Sequence, residues 1–262
     1  MIIFHSDLDS TLIYSDKNDI GSEKILLEEY ESGATYITKK TFDGLVNISE
    51  KILTVPTTTR SEKLYNRINW QGCTFKYALV ANGAILLENG KASEVWRKET
   101  QKLLEPAKDE LARAEHILNT DKRRTRDIDI VDEAFLFTKV SQIDDVVSEI
   151  EEKLDLSKVT IRTYKNKLYV LPKSLEKGAA LMRFRRYIAE KERIDESDIL
   201  TVAAGDGDFD ISMIEEANIG IANYKLKIPP KKRGKILFLG ENGVFSDEVL
   251  TELQRIISPY QV

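Results

Sequence analysis

The chain contains a single cysteine, Cys73, among its 262 residues, so an internal disulfide is excluded. A chain without disulfides suits a reducing compartment. Long apolar runs are also missing, and none approaches the roughly 20 residues that a membrane-spanning helix needs. The opening residues lack the basic segment and long apolar stretch of a secretory signal, because Asp7 interrupts the apolar run at once. We therefore expect a cytoplasmic protein that does not enter a membrane.

Basic residues are not in excess either, because 39 lysines and arginines face 44 aspartates and glutamates, for a formal net charge of −5. This balance gives no general attraction to nucleic acid or to an acidic membrane surface. The one basic cluster, at residues 229–235, has no aromatic partners, and we expect it to be a solvated loop. With 42% hydrophobic and 32% charged residues, the composition predicts a globular protein of one large domain or two unequal ones.

Short apolar runs alternate with helical patterns at both ends of the chain. The runs predict strands at residues 1–5, 51–56, 75–80, 199–204, 218–222 and 235–239. Alternation of this kind predicts an α/β fold with a doubly wound parallel sheet. The stretch 14–40 is irregular, and its two short apolar runs could pair as a hairpin that covers a site.

The middle of the chain, residues 84–172, mixes long helical patterns with strand patterns. Apolar residues at helical spacing predict one helix over 98–119, and the run 127–140 predicts strand. We expect this segment to form an inserted α+β domain. The core domain would then comprise residues 1–83 and 173–262.

Polar side chains follow four of the predicted strands. They are Asp7 and Asp9 after the first strand, Thr57, Thr58, Thr59 and Arg60 after the second, Asn82 after the third, and Asp206, Asp208 and Asp210 after the fourth. Ligands of open α/β sheets bind at the carboxyl ends of the strands, so we expect these side chains to share one site. Lys177 opens a predicted helix between the third and fourth of these strands, and it would add a positive charge.

Gathered at one edge, so many carboxylates would repel one another unless a cation lay among them. His5 and His116 have no partners at ligand spacing, so oxygen atoms would supply the ligands. Oxygen ligands favour a hard ion such as Mg²⁺, which binds well when a substrate phosphate shares it. Taken singly, Asp7 and Asp9 would more often cap a turn or a helix N-terminus, and Lys177 could be an ordinary surface residue.

The polar segments also resemble a known family. DLDST (7–11), TTTR (57–60), the lysine of EKGAAL (176–181) and GDGDFD (205–210) are similar, in order and style, to the four motifs of the haloacid dehalogenase-like (HAD) phosphohydrolase superfamily. VANGAIL (80–86), KGAAL (177–181) and GDGDFDISM (205–213) resemble the Cof-like and sucrose-phosphate-phosphatase-like branch. That resemblance implies a Rossmann-like core with a large α/β cap inserted between the second and third motifs.

The resemblance also implies roles for individual residues. Asp7 would be the nucleophile that becomes an aspartyl phosphate, and Asp9 the general acid and then the general base. Thr58 would hydrogen-bond the transferring phosphoryl group, and Lys177 would neutralise its charge. The implied Mg²⁺ ligands are Asp7, Asp206, Asp210 and the backbone carbonyl of Asp9. Beside Thr58 and Lys177, the position at the strand ends makes Thr59, Arg60 and Asn82 candidate substrate contacts. The alternatives are an ordinary strand residue for Thr59, a surface residue at a helix start for Arg60 and a plain turn for Asn82.

The expected function is that of a Mg²⁺-dependent phosphatase acting on a small phosphorylated metabolite, with a sugar phosphate as the first expectation. A phosphomutase of the same fold and a non-catalytic, metal-binding regulatory domain are the alternatives. The chain departs from the branch at Ser10 and Thr59, where glycine is common, and at Phe209, where asparagine is usual. Because phenylalanine cannot hydrogen-bond a ligand water, the metal surroundings must differ there, and Asp208 is the residue expected to compensate.

Overall fold

The computed structural model describes residues 1–31, 33–229 and 235–260. Most of the basic cluster at 229–235 lies outside these residues. The chain divides into two compact units, one formed by Met1–Ala92 with Glu176–Val262 and the other by Ser93–Leu175. Among the described residues, no helix combines the length and the apolar character needed to cross a bilayer.

Fifteen strands and eight α-helices are found within the described residues. In chain order they are β1 (Ile2–Ser6), β2 (Tyr14–Ser15), β3 (Lys24–Tyr30), β4 (Gly33–Thr38), α1 (Lys39–Ile48), β5 (Leu53–Pro56), α2 (Glu62–Tyr65), β6 (Tyr77–Val80), β7 (Ile85–Glu88), β8 (Lys91–Ala92), α3 (Glu94–Leu104), α4 (Lys108–Thr120), β9 (Asp129–Val131), β10 (Phe135–Lys139), α5 (Ile143–Glu151), β11 (Val159–Tyr164), β12 (Lys167–Pro172), α6 (Lys177–Glu192), β13 (Leu200–Gly205), α7 (Ile211–Glu216), β14 (Ile219–Asn223), β15 (Ile236–Leu239) and α8 (Phe245–Ile257).

The first unit is built on a five-stranded parallel sheet with the strand order β15-β14-β13-β1-β5. β1 pairs with β13 on one side and with β5 on the other, both in parallel. The chain therefore extends the sheet in one direction after β1 and in the other after β13, which is the doubly wound arrangement predicted from the sequence. Phe4 in β1, Val202 in β13 and Val55 in β5 are fully buried, as expected for strands covered on both faces.

Two smaller antiparallel sheets belong to the same unit. β2, β4 and β3 form one of them, within the irregular stretch 14–40, so the predicted hairpin pairing occurs there. β6, β7 and β8 form the other. Because β7 and β8 pair with β6, they remain in the first unit, and the division of the chain falls after Ala92 instead of after residue 83 as expected. At the other end, the division falls after Leu175 instead of after residue 172.

The second unit has a four-stranded antiparallel sheet with the order β11-β12-β10-β9 and the helices α3, α4 and α5. The single helix expected over 98–119 is two helices, α3 and α4, joined by a 3₁₀ turn over Glu105–Ala107. Pro106 explains the break, because proline has no N–H to donate and its ring blocks a continuous helix. The expected strand 127–140 is a hairpin whose turn residues Asp132 and Glu133 have positive φ angles.

Candidate active site

The order of the central strands brings the first, second and fourth polar segments to one edge of the sheet. Asp7 follows β1, Asp206 follows β13 and Thr58 lies two residues beyond β5. The ladder continues past the strand ends, because the Asp7 amide donates to Ala204 O at 2.9 Å and the Thr57 amide to Ser6 O at 2.7 Å. These three segments therefore leave the sheet side by side at the point where the strand order reverses.

Lys177 is the cation of this edge, and its side chain is only 1% exposed. Its Nζ donates to Asp7 Oδ1 at 2.6 Å and to Asp210 Oδ1 at 2.7 Å. Burial acts to lower the pKa of Lys177, but the two carboxylates outweigh burial and hold this pKa above its usual value. The first residue of α6 therefore carries a positive charge between two strand ends.

Asp210 is held by the backbone of its own loop. Its Oδ2 accepts hydrogen bonds from the amides of Asp206, at 3.1 Å, and Gly207, at 3.0 Å. The close approach needs a glycine at position 205, because a Cβ there would lie 2.2 Å from the Cβ of Asp210. With both lone pairs of Oδ2 engaged and Oδ1 bonded to Lys177, Asp210 keeps one lone pair for another ligand.

Three carboxylates converge beside the lysine. Oxygen atoms of Asp7, Asp206 and Asp210 lie within 4.8 Å of one another. Burial, together with the charge of Asp210, raises the pKa of Asp7 well above its usual value and that of Asp206 to about 7. These raised pKa values reflect the cost of ionising three carboxylates beside one lysine. With all three ionised, the site would have a net charge of −2, which a divalent cation would balance.

The donor set also fits such a cation. All three side chains offer oxygen, and Asp206 accepts a hydrogen bond at Oδ1 from Thr11 Oγ1, at 3.0 Å, which fixes its orientation. Oxygen atoms without nitrogen or sulfur are the ligands that Mg²⁺ prefers. Among the described residues, the carboxylate cluster does not include Asp208, whose side chain is exposed. The expectation that Asp208 compensates for Phe209 therefore has no support in this geometry.

Thr58 and Asn82 lie on two loops that are bonded to each other. The Asn82 amide donates to Thr58 O at 2.8 Å, and the Ala81 amide donates to Arg60 O at 2.7 Å. Thr58 Oγ1 accepts a hydrogen bond from the Arg60 amide at 3.1 Å, and the structure gives its hydroxyl proton no acceptor among the described residues. Thr58 is thus a fixed, buried hydroxyl donor at the same edge as Asp7, while Thr59 is half-buried on the same loop.

Asp9 has very different surroundings from Asp7, since 55% of its side chain is exposed. Both of its oxygens bind the guanidinium of Arg60, with Nε to Oδ2 at 2.8 Å and Nη2 to Oδ1 at 2.7 Å. Arg60 Nη1 donates at 2.8 Å to Glu28 Oε1, from β3. Burial opposes the charge of Arg60, but Asp9 and Glu28 together raise its pKa. Arg60 was expected to contact substrate, whereas here its guanidinium binds two carboxylates of the protein.

Glu28 is the residue of this region that the sequence pattern did not reveal. Strand residues normally alternate between the two faces, so a strand with Leu27 inside would place Glu28 outside. The pairing of β3 with β4 shifts register between Leu26 and Glu28, however, and both Leu27 and Glu28 are buried. A β-bulge of this kind has no reliable sequence signal, because it depends on the pairing with the neighbouring strand.

Comparison with solved structures finds proteins of similar fold. The sucrose-phosphatase of Synechocystis sp. PCC6803, solved with sucrose and phosphate, is 12% identical to this chain, covers 97% of both chains and gives a TM-score of 0.62. BT1666 from Bacteroides thetaiotaomicron, a phosphatase of the HAD superfamily, is 16% identical over 97% of this chain and 94% of its own, with a TM-score of 0.56. The HAD subclass IIB sugar phosphatase BT4131 is 14% identical over 98% of this chain and 99% of its own, with a TM-score of 0.55.

At these identities the structural likeness concerns the fold. No curated protein matches the sequence. The family model of haloacid dehalogenase-like hydrolases matches residues 58–223, which is more than half of the chain. The chain therefore belongs to the haloacid dehalogenase-like hydrolases, the family that its four motifs resemble.

Proposed function

We propose that the protein is a Mg²⁺-dependent phosphatase that hydrolyses a small phosphorylated metabolite through an aspartyl-phosphate intermediate. The observation that carries the proposal is the buried Lys177, which binds Asp7 and Asp210 at a strand edge shared with the Thr58 hydroxyl. A buried carboxylate beside a fixed cation and a hydroxyl donor suits phosphoryl transfer, which depends mainly on positioning and charge neutralisation.

In the first half-reaction, a carboxylate oxygen of Asp7 attacks the phosphorus atom of the substrate. The bond between phosphorus and the ester oxygen breaks, and the leaving oxygen takes a proton from the Asp9 carboxyl group. The phosphoryl group is then an acyl phosphate on Asp7. The side chain of Asp9 is half-exposed, so a leaving group and a water molecule can reach it.

In the second half-reaction, Asp9 is ionised and accepts a proton from a water molecule. The water oxygen attacks phosphorus, the bond between phosphorus and the Asp7 oxygen breaks, and inorganic phosphate leaves. Thr58 donates a hydrogen bond to a phosphoryl oxygen in both steps, and Lys177 offsets the charge on that group.

The metal ligands in this proposal are Asp7, Asp206, Asp210 and the backbone carbonyl of Asp9. When bound there, Mg²⁺ neutralises charge on the phosphoryl oxygens and on the carboxylate cluster. Asp210 has one lone pair left for this purpose and would supply a single oxygen. Thr59 and Asn82 are proposed to line the substrate site beside Thr58.

Two of the compared structures are described as a sucrose-phosphatase and a sugar phosphatase, and we propose a sugar phosphate for this protein on that analogy. The single cysteine suits a reducing compartment, and on that ground we also propose a cytoplasmic location.

The deciding experiment is an assay of phosphate release by the wild type and by Asp7→Asn. p-Nitrophenyl phosphate and a panel of sugar phosphates and nucleotides are tested with Mg²⁺ and with a chelator. Release that needs Mg²⁺ and disappears in Asp7→Asn is the expected result. Asp208→Asn, in the same loop region but outside the carboxylate cluster, is the matched control and should retain activity.

Other results would redirect the assignment. Substantial release by Asp7→Asn would rule out Asp7 as the nucleophile. An isomerised sugar phosphate without free phosphate would identify a phosphomutase. Mg²⁺ binding without turnover of any compound would leave the regulatory, metal-binding domain as the function.

A further inference from the structure

Asp9 is an exposed residue in a fixed position, and this combination needs an explanation. An exposed ion pair is worth little by itself, because two flexible side chains lose conformational freedom when they meet. Here the partner is not flexible. The side chain of Arg60 is 12% exposed, its amide donates to Thr58 Oγ1 and its carbonyl accepts from the Ala81 amide. The backbone that carries the guanidinium is therefore fixed on both sides.

The remaining freedom of Arg60 lies in its side chain, and Glu28 removes it. A guanidinium is planar, so binding one of its edges fixes the direction of the other. Glu28 Oε1 accepts a hydrogen bond from Nη1. The other edge of the guanidinium, formed by Nε and Nη2, then binds Asp9. Only 3% of the Glu28 side chain is exposed, which gives the guanidinium a rigid anchor.

Glu28 is itself held in place by two further groups. Thr35, on the neighbouring strand β4, donates to Glu28 Oε1 at 3.1 Å. Arg67 donates to Oε2 at 3.3 Å. The four charges of Asp9, Arg60, Glu28 and Arg67 sum to zero, so the burial of Glu28 is compensated.

We infer that Glu28 is a positioning residue for the reaction: through Arg60 it fixes the carboxyl group of Asp9 for proton transfer. The inference rests on the proposed function, in which Asp9 protonates the leaving oxygen. Each oxygen of a carboxylate has two lone pairs, and Arg60 uses one on each, so each oxygen of Asp9 keeps one lone pair that Arg60 does not occupy. The three-stranded sheet of residues 14–38 thereby contributes directly to the active site.

The test uses the dependence of the rate on the leaving group. A general acid matters for an alkyl phosphate, whose alkoxide leaves poorly, and matters little for 2,4-dinitrophenyl phosphate, whose leaving group needs no proton. The ratio kcat/KM covers the steps up to the first irreversible one, so the later hydrolysis of the aspartyl phosphate does not affect it. A loss of folded enzyme or of metal would lower kcat/KM equally for both substrates.

Glu28→Gln keeps the shape of the side chain and removes its charge. We expect kcat/KM to fall about 10-fold or more for a hexose phosphate and by less than about 3-fold for 2,4-dinitrophenyl phosphate, a part of the roughly 10²–10⁴-fold that general acids contribute. Glu29→Gln is the matched control, since the neighbouring Glu29 is exposed, and it should behave as the wild type. Equal losses on both substrates in Glu28→Gln would overturn the inference.

A second arm asks whether Glu28 acts through Asp9. Asp9→Asn removes the acid, so adding Glu28→Gln to it should change the hexose phosphate rate by less than about 2-fold if the two residues act in series. A further 10-fold fall in the double variant would show that Glu28 acts elsewhere.

A crystal structure of Glu28→Gln gives a result that does not depend on turnover. The bidentate contact between Arg60 and Asp9 should be lost or shared between orientations, and an unchanged contact would overturn the inference. If the wild type hydrolyses no phosphate ester, the proposed function fails in the kinetic assay, and the crystal structure still decides the positioning role.

Discussion

Replacing His5 by asparagine should make the stability of the protein less sensitive to acid. His5 is fully buried in β1, where Nδ1 lies 3.1 Å from Thr57 Oγ1 and the ring packs edge-on against Phe184. The Thr57 hydroxyl donates to Val55 O, so its oxygen accepts a hydrogen bond from the Nδ1–H of His5, and Nε2 is the nitrogen without a proton. Nε2 has no hydrogen-bond partner among the described residues, which is tolerable only for a neutral ring.

The magnitude follows from proton linkage. Burial lowers the pKa of His5 from 6.5 to about 3. Between these values the unfolded chain binds a proton that the folded chain does not, so stability is retained above 6.5 and is lost as the pH falls below it. At about pH 4.5, two units below the unfolded pKa, the loss is about 2.7 kcal/mol at ~1.36 kcal/mol per unit. Any folded pKa below about 4 gives nearly the same figure.

The assay is urea unfolding, followed by tryptophan fluorescence, at about pH 7.5 and about pH 4.5. The free energy of unfolding of the wild type should fall by about 2.7 kcal/mol more than that of His5→Asn between these conditions. Other acid-sensitive groups are common to both proteins and cancel in the difference. His116→Asn, at the exposed second histidine, is the matched control and should follow the wild type. An equal fall in wild type and His5→Asn would refute the buried neutral imidazole.

Three further substitutions test the geometry of the site. Gly205→Ala should weaken Mg²⁺ binding about 10-fold or more in calorimetry, because the new Cβ would lie 2.2 Å from the Cβ of Asp210. Gly207→Ala is the control: its new Cβ would lie 3.8 Å from Asp210 Oδ2, and this variant should bind Mg²⁺ as the wild type does. Lys177→Met should lower the free energy of unfolding by about 3–5 kcal/mol without metal, because two buried carboxylates lose their cation, and added Mg²⁺ should restore part of it in urea titrations. Thr58→Val should lower kcat about 10²-fold in the phosphatase assay by removing a hydroxyl donor, and Thr58→Ser should retain most of it.

Each of these predictions has an outcome that contradicts it. Equal Mg²⁺ affinities of the two alanine variants would mean that the loop does not need the close approach at position 205. A Lys177→Met protein as stable as the wild type would mean that the carboxylates are protonated or solvated in the folded chain. Similar rates for the valine and serine variants of Thr58 would remove its hydroxyl from the proposed mechanism.

The sequence was most informative where chain direction and topology act together. Once the apolar runs at 1–5, 51–56 and 199–204 are read as parallel strands, the polar residues that follow them must meet at one edge. Lys177 could be assigned to the same site because it begins a predicted helix between the third and fourth of the polar segments. The convergence of Asp7, Lys177 and Asp210 in the structure follows that logic.

Features that depend on pairing between strands are harder to predict from the sequence. The bulge that buries Glu28 arises from a register shift against β4, and no local pattern in β3 announces it. The sequence pattern predicts the division between the units after residue 83, whereas the structure has it after Ala92. The patterns after residue 83 do not show that β7 pairs with β6. In the second unit, apolar spacing continues across Pro106, so periodicity alone merged α3 and α4.

The first motif ends a buried strand with two carboxylates, and their surroundings explain why both can be there. Asp7 is 7% exposed and is compensated from within the fold by Lys177. Asp9, two residues later, is largely outside, and it is compensated by an arginine anchored on a different sheet. Because successive residues of an extended chain point to opposite sides, a spacing of two would normally give equal surroundings. The turn after Asp7 removes that equivalence, since Leu8 O accepts hydrogen bonds from the amides of Thr11 and Leu12. One short segment thus provides a buried carboxylate and a half-exposed one, and the proposed nucleophile and the proposed general acid differ in surroundings accordingly.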